Sequence, residues 1–236
     1  MNQSFYAAAV AASQQQQRLN VTANNIANVN TVGFKAEQAQ FSELLYQTYS
    51  GPNQTNVYRG TGSRIMQTAT DFQQGALMQR DGGQNYAIDG SGFFAVLNPA
   101  TNQISYTRAG SFHWGSTSDP NTYYLCDSEG DYVLDKNQQP IKMGEDSQAE
   151  YPVGVFDFAN TDDMQHIANN KLVPVAKNGN AFAVNTGVIF GAVEGSNTDI
   201  ATEFTKIIES QRSYSYALKM VQTQDEIEST INGLKG

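Results

Sequence analysis

The chain has 236 residues, enough for one large domain or two small ones and for a substantial core. Charged residues are only 16%, against roughly 25% in an average soluble domain, and the polarity is supplied instead by amides, 22 Gln and 21 Asn. A net charge of −9 argues against a nucleic-acid binder or an anionic-membrane binder, and no apolar run approaches the roughly 18 residues of a spanning helix. The single cysteine, Cys126, excludes an internal disulfide, a CxxC redox site and a cysteine-rich zinc site, and two histidines, His113 and His166, are too few to suggest a histidine-based metal cluster. No cofactor is expected.

Residues 1 to about 30 hold neither Gly nor Pro. Phe5, Ala12, Leu19 and Ile26 recur every seven residues, with Ala9 and Ala23 on the same side, which predicts a helix carrying one thin apolar stripe. Gln15 and Gln16 interrupt that stripe, so the helix should not be stable alone in water. The apolar stretch from Phe5 to Ala12 has no basic residue before it and reads poorly as a signal peptide. Asn24, Asn25 and Asn28 are poor helix formers, suited to side-chain hydrogen bonding with nearby backbone or with other copies, or else to a frayed helix end. Gly33 is placed to turn the chain out of the helix through a positive φ, letting Phe34 pack back.

Residues 46–84, with Gly51, Gly60, Gly62 and Gly75, read as an extended connector with some pairing. Short strand-like runs follow at Phe93–Leu97, Ile104–Arg108, Tyr123–Leu125, Tyr132–Leu134, Val153–Phe158 and Phe182–Val184. Residues 98–102 fit a hairpin loop between the first two. Together they predict a compact β domain, a sandwich or barrel.

From residue 197 the helical period returns. Ile200, Phe204, Ile207, Gln211, Tyr214, Leu218 and Val221 alternate steps of four and three, and Ile227, Ile231 and Leu234 continue with a phase shift. Ser196 with Asp199 looks like a capping-box start, and Gly233 and Gly236 like a stop. The bland reading of this stripe is core packing within one chain. Arg212 and Glu209 are candidates for setting register between copies.

The predicted fold class is therefore α+β: N- and C-terminal helices paired as a coiled-coil layer, with a central antiparallel β domain. The division is residues 1–35, 36–84, 85–195 and 196–236. Neither thin stripe saturates the other, so faces remain for further copies, and unlike patches that pair without closing make a helical filament. The termini of a lone monomer bury little apolar surface, which predicts that they stay unfolded before assembly.

Catalytic signals are weak. Asp127-Ser128-Glu129-Gly130-Asp131 superficially matches a calcium loop, but Tyr132 stands where the glycine is required, so a hairpin turn is expected. Gly90-Ser91-Gly92 precedes a strand and reads as a turn rather than a phosphate loop. Asp81 and Asp89 are candidate paired carboxylates of a secreted glycan hydrolase, and the 12 Tyr with one Trp a candidate carbohydrate-stacking surface. Neither alternative uses the helical ends. His113 reads as a strand-end contact, Cys126 as an apolar filler, and no GxSxG elbow occurs.

Three ordered blocks carry a resemblance. The segment Ala23-Asn24-Asn25-Ile26-Ala27-Asn28-Val29-Asn30-Thr31-Val32-Gly33-Phe34-Lys35 resembles the signature of bacterial flagellar axial proteins, the rod and hook subunits. Asp89-Gly90-Ser91-Gly92-Phe93-Phe94 and Tyr106-Thr107-Arg108-Ala109-Gly110-Ser111-Phe112 are similar to the β-domain opening of the distal rod and hook group. Gly195 to Ile200, Gln211-Arg212-Ser213-Tyr214 and Gln222 to Glu226 match the family's C-terminal block. The resemblance implies a structural, non-enzymatic subunit of a hollow helical rod that transmits torque from motor to hook. It implies export through the flagellar type III apparatus without a cleaved signal peptide, and residence in the extracytoplasmic part of the basal body. The implied partners are copies of itself, other rod and hook subunits and the export apparatus, with no nucleic acid and no small-molecule substrate.

Its length, with one β insertion, favours the distal rod group or its similar proximal relative; Thr117 to Tyr123 expands the family pattern. The implied assembly signature is Asn24, Asn25, Ala27, Asn28, Gly33, Phe34, Ser196, Asn197, Gln211, Arg212 and Tyr214. Leu19, Ile26, Ile200, Phe204, Ile207, Leu218 and Val221 are the implied packing residues of the inner helices.

Overall fold

The computed structural model describes residues 3–50, 56–116, 122–144, 149–167 and 169–234. Gly51, Gly236 and most of the 117–123 expansion lie outside them. The chain divides into two units, residues 1–27, 37–69 and 199–236 in one, and 28–36 and 70–198 in the other.

The first unit is built on two helices, α1 (Gln3–Ala27) and α2 (Ile200–Leu234), which pack against each other. Strand β1 (Glu37–Glu43) pairs with β4 (Ser63–Thr70), and β2 (Gln47–Ser50) runs antiparallel to β3 (Asn56–Arg59). At about 1.5 Å per residue, α2 is roughly 50 Å long. It starts later than the capping-box reading expected. Asp199 is the capping residue, its carboxylate accepting from the N–H groups of Ala201 and Thr202, while the Ser196 hydroxyl donates to Thr198 Oγ1 instead. The helix also runs past Gly233 to Leu234, so that glycine is no stop.

The face of α2 buried within the chain is not the most apolar one. Glu203, Ser210 and Ala217, seven apart, are its buried residues, with Ile207 and Tyr214 half-buried between them and Val221 and Gln224 half-buried beyond. The expected stripe shares Ile207, Tyr214 and Val221 with this face. Its other edge, one residue further round the helix, stays exposed: Ile200 at 45%, Phe204 at 53%, Leu218 at 39%, with Gln211 also exposed. On α1 the buried residues are Ala12, Thr22 and Asn25, while Leu19 and Ile26 are half-buried and Ala9 and Ala23 exposed. Small and polar side chains thus line the covered faces, and they bury little apolar area.

The second unit is an antiparallel β domain. Its strands are β5 (Leu77–Gln79), β6 (Gln84–Asp89), β7 (Phe93–Leu97), β8 (Ile104–Thr107), β9 (Ser111–Ser116), β10 (Tyr123–Cys126), β11 (Tyr132–Val133), β12 (Val155–Asp157), β13 (Gln165–Ile167), β14 (Lys171–Val173), β15 (Phe182–Ala183), β16 (Gly187–Phe190) and β17 (Ala192–Glu194). One sheet runs β13-β14-β8-β7-β11-β10-β9-β6-β16, with β12 joining β7 to β15; β5 and β17 form a separate pair. The β7–β8 hairpin closes as expected, Leu97 opposite Ile104, with Asn98 Oδ1 accepting from the N–H groups of Ala100 and Thr101.

Strand β7 decides the architecture. Successive side chains on a strand point to opposite faces, and both faces of β7 are covered. Phe94 and Val96 enter a core with Tyr86, Ile88, Phe112 and Leu125, while Phe93 and Ala95 enter another with Tyr106, Phe156, Phe158 and Leu172. Edge-to-face rings fix both cores, Phe94–Phe112 at 5.3 Å and Tyr106–Phe158 at 4.8 Å, each such pair adding about 1 kcal/mol beyond its burial.

Candidate functional site

In the second unit, the chain segment that follows α1 is held by a buried charge cluster. Gly33 takes φ +67°, and its N–H donates to the Glu194 carbonyl at 2.7 Å. A Cβ at this position would lie 2.3 Å from the Ala109 nitrogen, so only glycine fits both the dihedral and the space. Two residues on, Lys35 Nζ meets Glu194 Oε1 at 2.7 Å and donates to the Gln73 carbonyl at 2.6 Å. Arg108 reaches the other carboxylate oxygen at 3.1 Å and the Gly90 carbonyl at 2.9 Å. The Gly75 N–H adds a further bond to Glu194 at 2.9 Å. Lys35, Arg108 and Glu194 are all buried. Burial holds the Lys35 ammonium below the usual lysine range, Arg108 pushes the same way, and the lysine's own bond to the Glu194 carboxylate opposes both.

Asn197 completes the fastening. Its Oδ1 accepts from the Ala36 N–H at 2.8 Å and its Nδ2 donates to the Asp71 carbonyl at 2.7 Å. Phe34 is buried, its N–H donating to the Thr31 carbonyl.

In the first unit, Asn25 is the corresponding fastener. Its carboxamide exchanges two hydrogen bonds with the Glu37 backbone, at 2.9 and 2.8 Å, as a paired strand residue would. The same Nδ2 reaches Glu203 at 3.3 Å, and Glu203 is held by Lys206 at 2.6 Å. Gln14 Oε1 accepts from the Ile65 N–H at 2.6 Å. Asn28 Oδ1 accepts from the Thr31 hydroxyl, while Asn24 and Ala27 are exposed at the end of α1. Gln211 and Arg212 are exposed on α2. Glu209, read as a register residue between copies, pairs with Arg18 of α1 at 3.2 Å, so that carboxylate already serves the helix pair of its own chain.

The turn that resembled a calcium loop is a hairpin turn between β10 and β11, closed by the Asp127 N–H on the Asp131 carbonyl. Its three carboxylates surround a lysine. Lys171 Nζ lies 3.2, 2.8 and 2.6 Å from Asp127, Glu129 and Asp131, and these partners outweigh burial and lift its pKa above the ordinary lysine value. Asp81 and Asp89 are exposed, His113 is an exposed strand residue opposite Cys126, and Cys126 is buried, which raises its thiol pKa. The described residues include no group of three or more His, Cys, Asp or Glu suited to a metal ion.

Sequence reasoning missed Lys35, Glu194, Glu203, Ser210 and Ala217. The last three stand at a seven-residue spacing that an apolar-only search passes over.

The chain matches three family descriptions in order: "Flagella basal body rod protein" over residues 5–35, "Flagellar hook protein FlgE/F/G D1 domain" over 87–166, and "Flagellar basal body rod FlgEFG protein C-terminal" over 191–234. The helix-strand-helix order and the fastened turns fall inside these matches. It is 31% identical to the flagellar basal-body rod protein FlgG of Bacillus subtilis over 100% of both chains. It is 30% identical to FlgG of Borreliella burgdorferi over 100% of this chain and 99% of that one. With the flagellar basal-body rod protein FlgF of Caulobacter vibrioides the figure is 31%, over 90% and 89%. The chain belongs to the flagellar basal-body rod protein family.

Proposed function

We propose that the chain is a structural subunit of the flagellar rod, polymerising helically with copies of itself and with other rod and hook subunits into a hollow shaft that carries torque from motor to hook. The observation that supports this best is the apolar line Ile200, Phe204 and Leu218, left uncovered after α1 and α2 have packed. Such a line on a long helix is a surface for another helix. In this reading residues 1–35 and 196–236 make the inner layer, their helices paired as a coiled coil. Residues 36–84 connect, and 85–195 stand outside.

Leu19, Ile26, Ile207 and Val221 pack the inner helices within a subunit, and Ile200, Phe204 and Leu218 pack between subunits. Asn24, Ala27, Asn28, Gln211 and Arg212 contact neighbouring copies, Tyr214 joins the packing within a subunit, and Asn25, Gly33, Phe34, Ser196 and Asn197 fasten the segments that follow α1 and precede α2. The subunit has no catalytic role, leaves the cell through the flagellar type III apparatus without a cleaved leader, and resides in the extracytoplasmic rod.

Replacing Ile207 with proline tests the proposal. Proline inside α2 costs about 3 kcal/mol or more by removing a helix hydrogen bond and clashing with the preceding turn. The expected outcome is that wild-type protein forms tubes and restores swimming to a deletion strain, and that I207P does neither. Normal swimming with I207P rejects the helix-layer mechanism.

A further inference from the structure

The chain holds two Asn-Gly dipeptides, Asn178-Gly179 and Asn232-Gly233. Asn-Gly is the pair most prone to spontaneous deamidation, because glycine has no Cβ to shield its backbone nitrogen or to restrict the chain. The fold treats the two in opposite ways.

Asn178 is locked. It closes the one-turn 3₁₀ helix Ala176–Asn178 and is 0% exposed. Its Oδ1 accepts from the Val175 N–H at 2.7 Å, and its Nδ2 donates to the carbonyls of Asn160 and Asp162 at 3.0 and 2.7 Å. The carboxamide cannot swing toward the Gly179 nitrogen without breaking these bonds and leaving buried polar groups unpaired.

Asn232 is open. It is exposed in the last turn of α2, between Ile231 at 49% exposure and Gly233, with Leu234 at 83%. A Cβ added at Gly233 would meet no heavy atom within 4 Å. Asparagine and glycine are both poor helix formers, and the last turn holds no basic residue to offset the helix dipole. Such an end opens at almost no free-energy cost, whereas a buried, fully bonded residue opens only with the structure around it.

We propose that Asn232 is a deamidation site of the folded protein and that Asn178 is not. When the last turn opens, the Gly233 nitrogen attacks Asn232 Cγ. The N–Cγ bond forms, the Cγ–Nδ2 bond breaks, and ammonia leaves with the Gly233 amide proton, giving a succinimide. Water then opens the ring to aspartate or isoaspartate, and nothing is oxidised or reduced. Either product puts a new carboxylate where the helix dipole disfavours it, four residues after Glu228. The isoaspartate also lengthens the backbone by a methylene group, which ends the helical hydrogen-bond pattern. Helix α2 therefore shortens from its C-terminal end as the protein ages. This inference rests on the exposure of the helix end and not on the rod reading.

The test incubates the folded full-length chain at mildly alkaline pH, and in parallel in urea, following both sites by peptide mass spectrometry. In buffer the peptide carrying Asn232 should gain one mass unit at least tenfold faster than the peptide carrying Asn178. It should also accept methyl groups from S-adenosylmethionine through an isoaspartyl methyltransferase. In urea the two rates should converge, because the dipeptides are chemically identical. Asn232→Gln should abolish the change at that site, since glutamine cyclises far more slowly, and far-UV circular dichroism of the aged wild type should show a loss of helix that N232Q does not. Equal rates at the two sites in buffer, Asn178 reacting first, or no reaction at Asn232 while both sites react in urea each overturn the proposal.

Discussion

Glu194 is shared by Lys35 and Arg108, and its loss leaves two cations facing one another out of water. Replacing it with glutamine preserves shape and removes the countercharge. Breaking a buried pair in this way costs about 3–5 kcal/mol. The β domain of E194Q should lose that much in urea unfolding followed by fluorescence of Trp114, the chain's one tryptophan, which packs edge-on against Tyr151. Asp199 gives a pH-dependent counterpart. Its bonds from Thr202 and Ala201 hold its pKa below the ordinary 3.8. A carboxylate shifted downward stabilises the fold above its unfolded pKa and stops doing so as pH falls through the folded value. Far-UV circular dichroism should therefore show the first turn of α2 fraying as pH drops below about 3.8, and Asp199→Asn should flatten that acid step. At this scale Gly33 was legible, because a glycine at the end of a helical pattern signals a turn. Asn25 was legible only as a hydrogen-bonding group. That its partner would be the Glu37 backbone depends on where β1 returns, which no local pattern contains.

Among the elements, the helices were the easiest to read and the short strands the hardest. The 3.6-residue period marks a long helix strongly, and α1 and α2 lie within the expected zones. Strand β7 was legible because it is a continuous apolar run, whereas β6, Gln-Asn-Tyr-Ala-Ile-Asp, is buried from Gln84 to Ile88 behind two amides whose hydrogen bonds to Tyr86 and the Arg80 carbonyl make burial possible. The rotation of the α2 stripe was illegible for a related reason. Apolar residues mark where cover is needed, and here the chain covers Glu203, Ser210 and Ala217 instead. Ser210 Oγ is buried with no hydrogen-bond partner. Removing an unpaired buried hydroxyl and gaining helix propensity both favour alanine. Ser210→Ala should therefore raise the stability of the helix pair by about 1 kcal/mol, read from the midpoint of its far-UV melt.

For the whole molecule, the two units differ in what holds them. The β domain has two aromatic cores, while the helix pair relies on small and polar faces. Calorimetry should show two transitions, the lower one losing helical signal while Trp114 emission is unchanged. A single transition detected by both probes would mean that the units unfold together.

The bare edge at Ile200, Phe204 and Leu218 also has a thermal consequence. Attraction between oily surfaces weakens on cooling. Purified stock should thus stay clear on ice and turn cloudy when warmed on the bench, then clear again if chilled promptly.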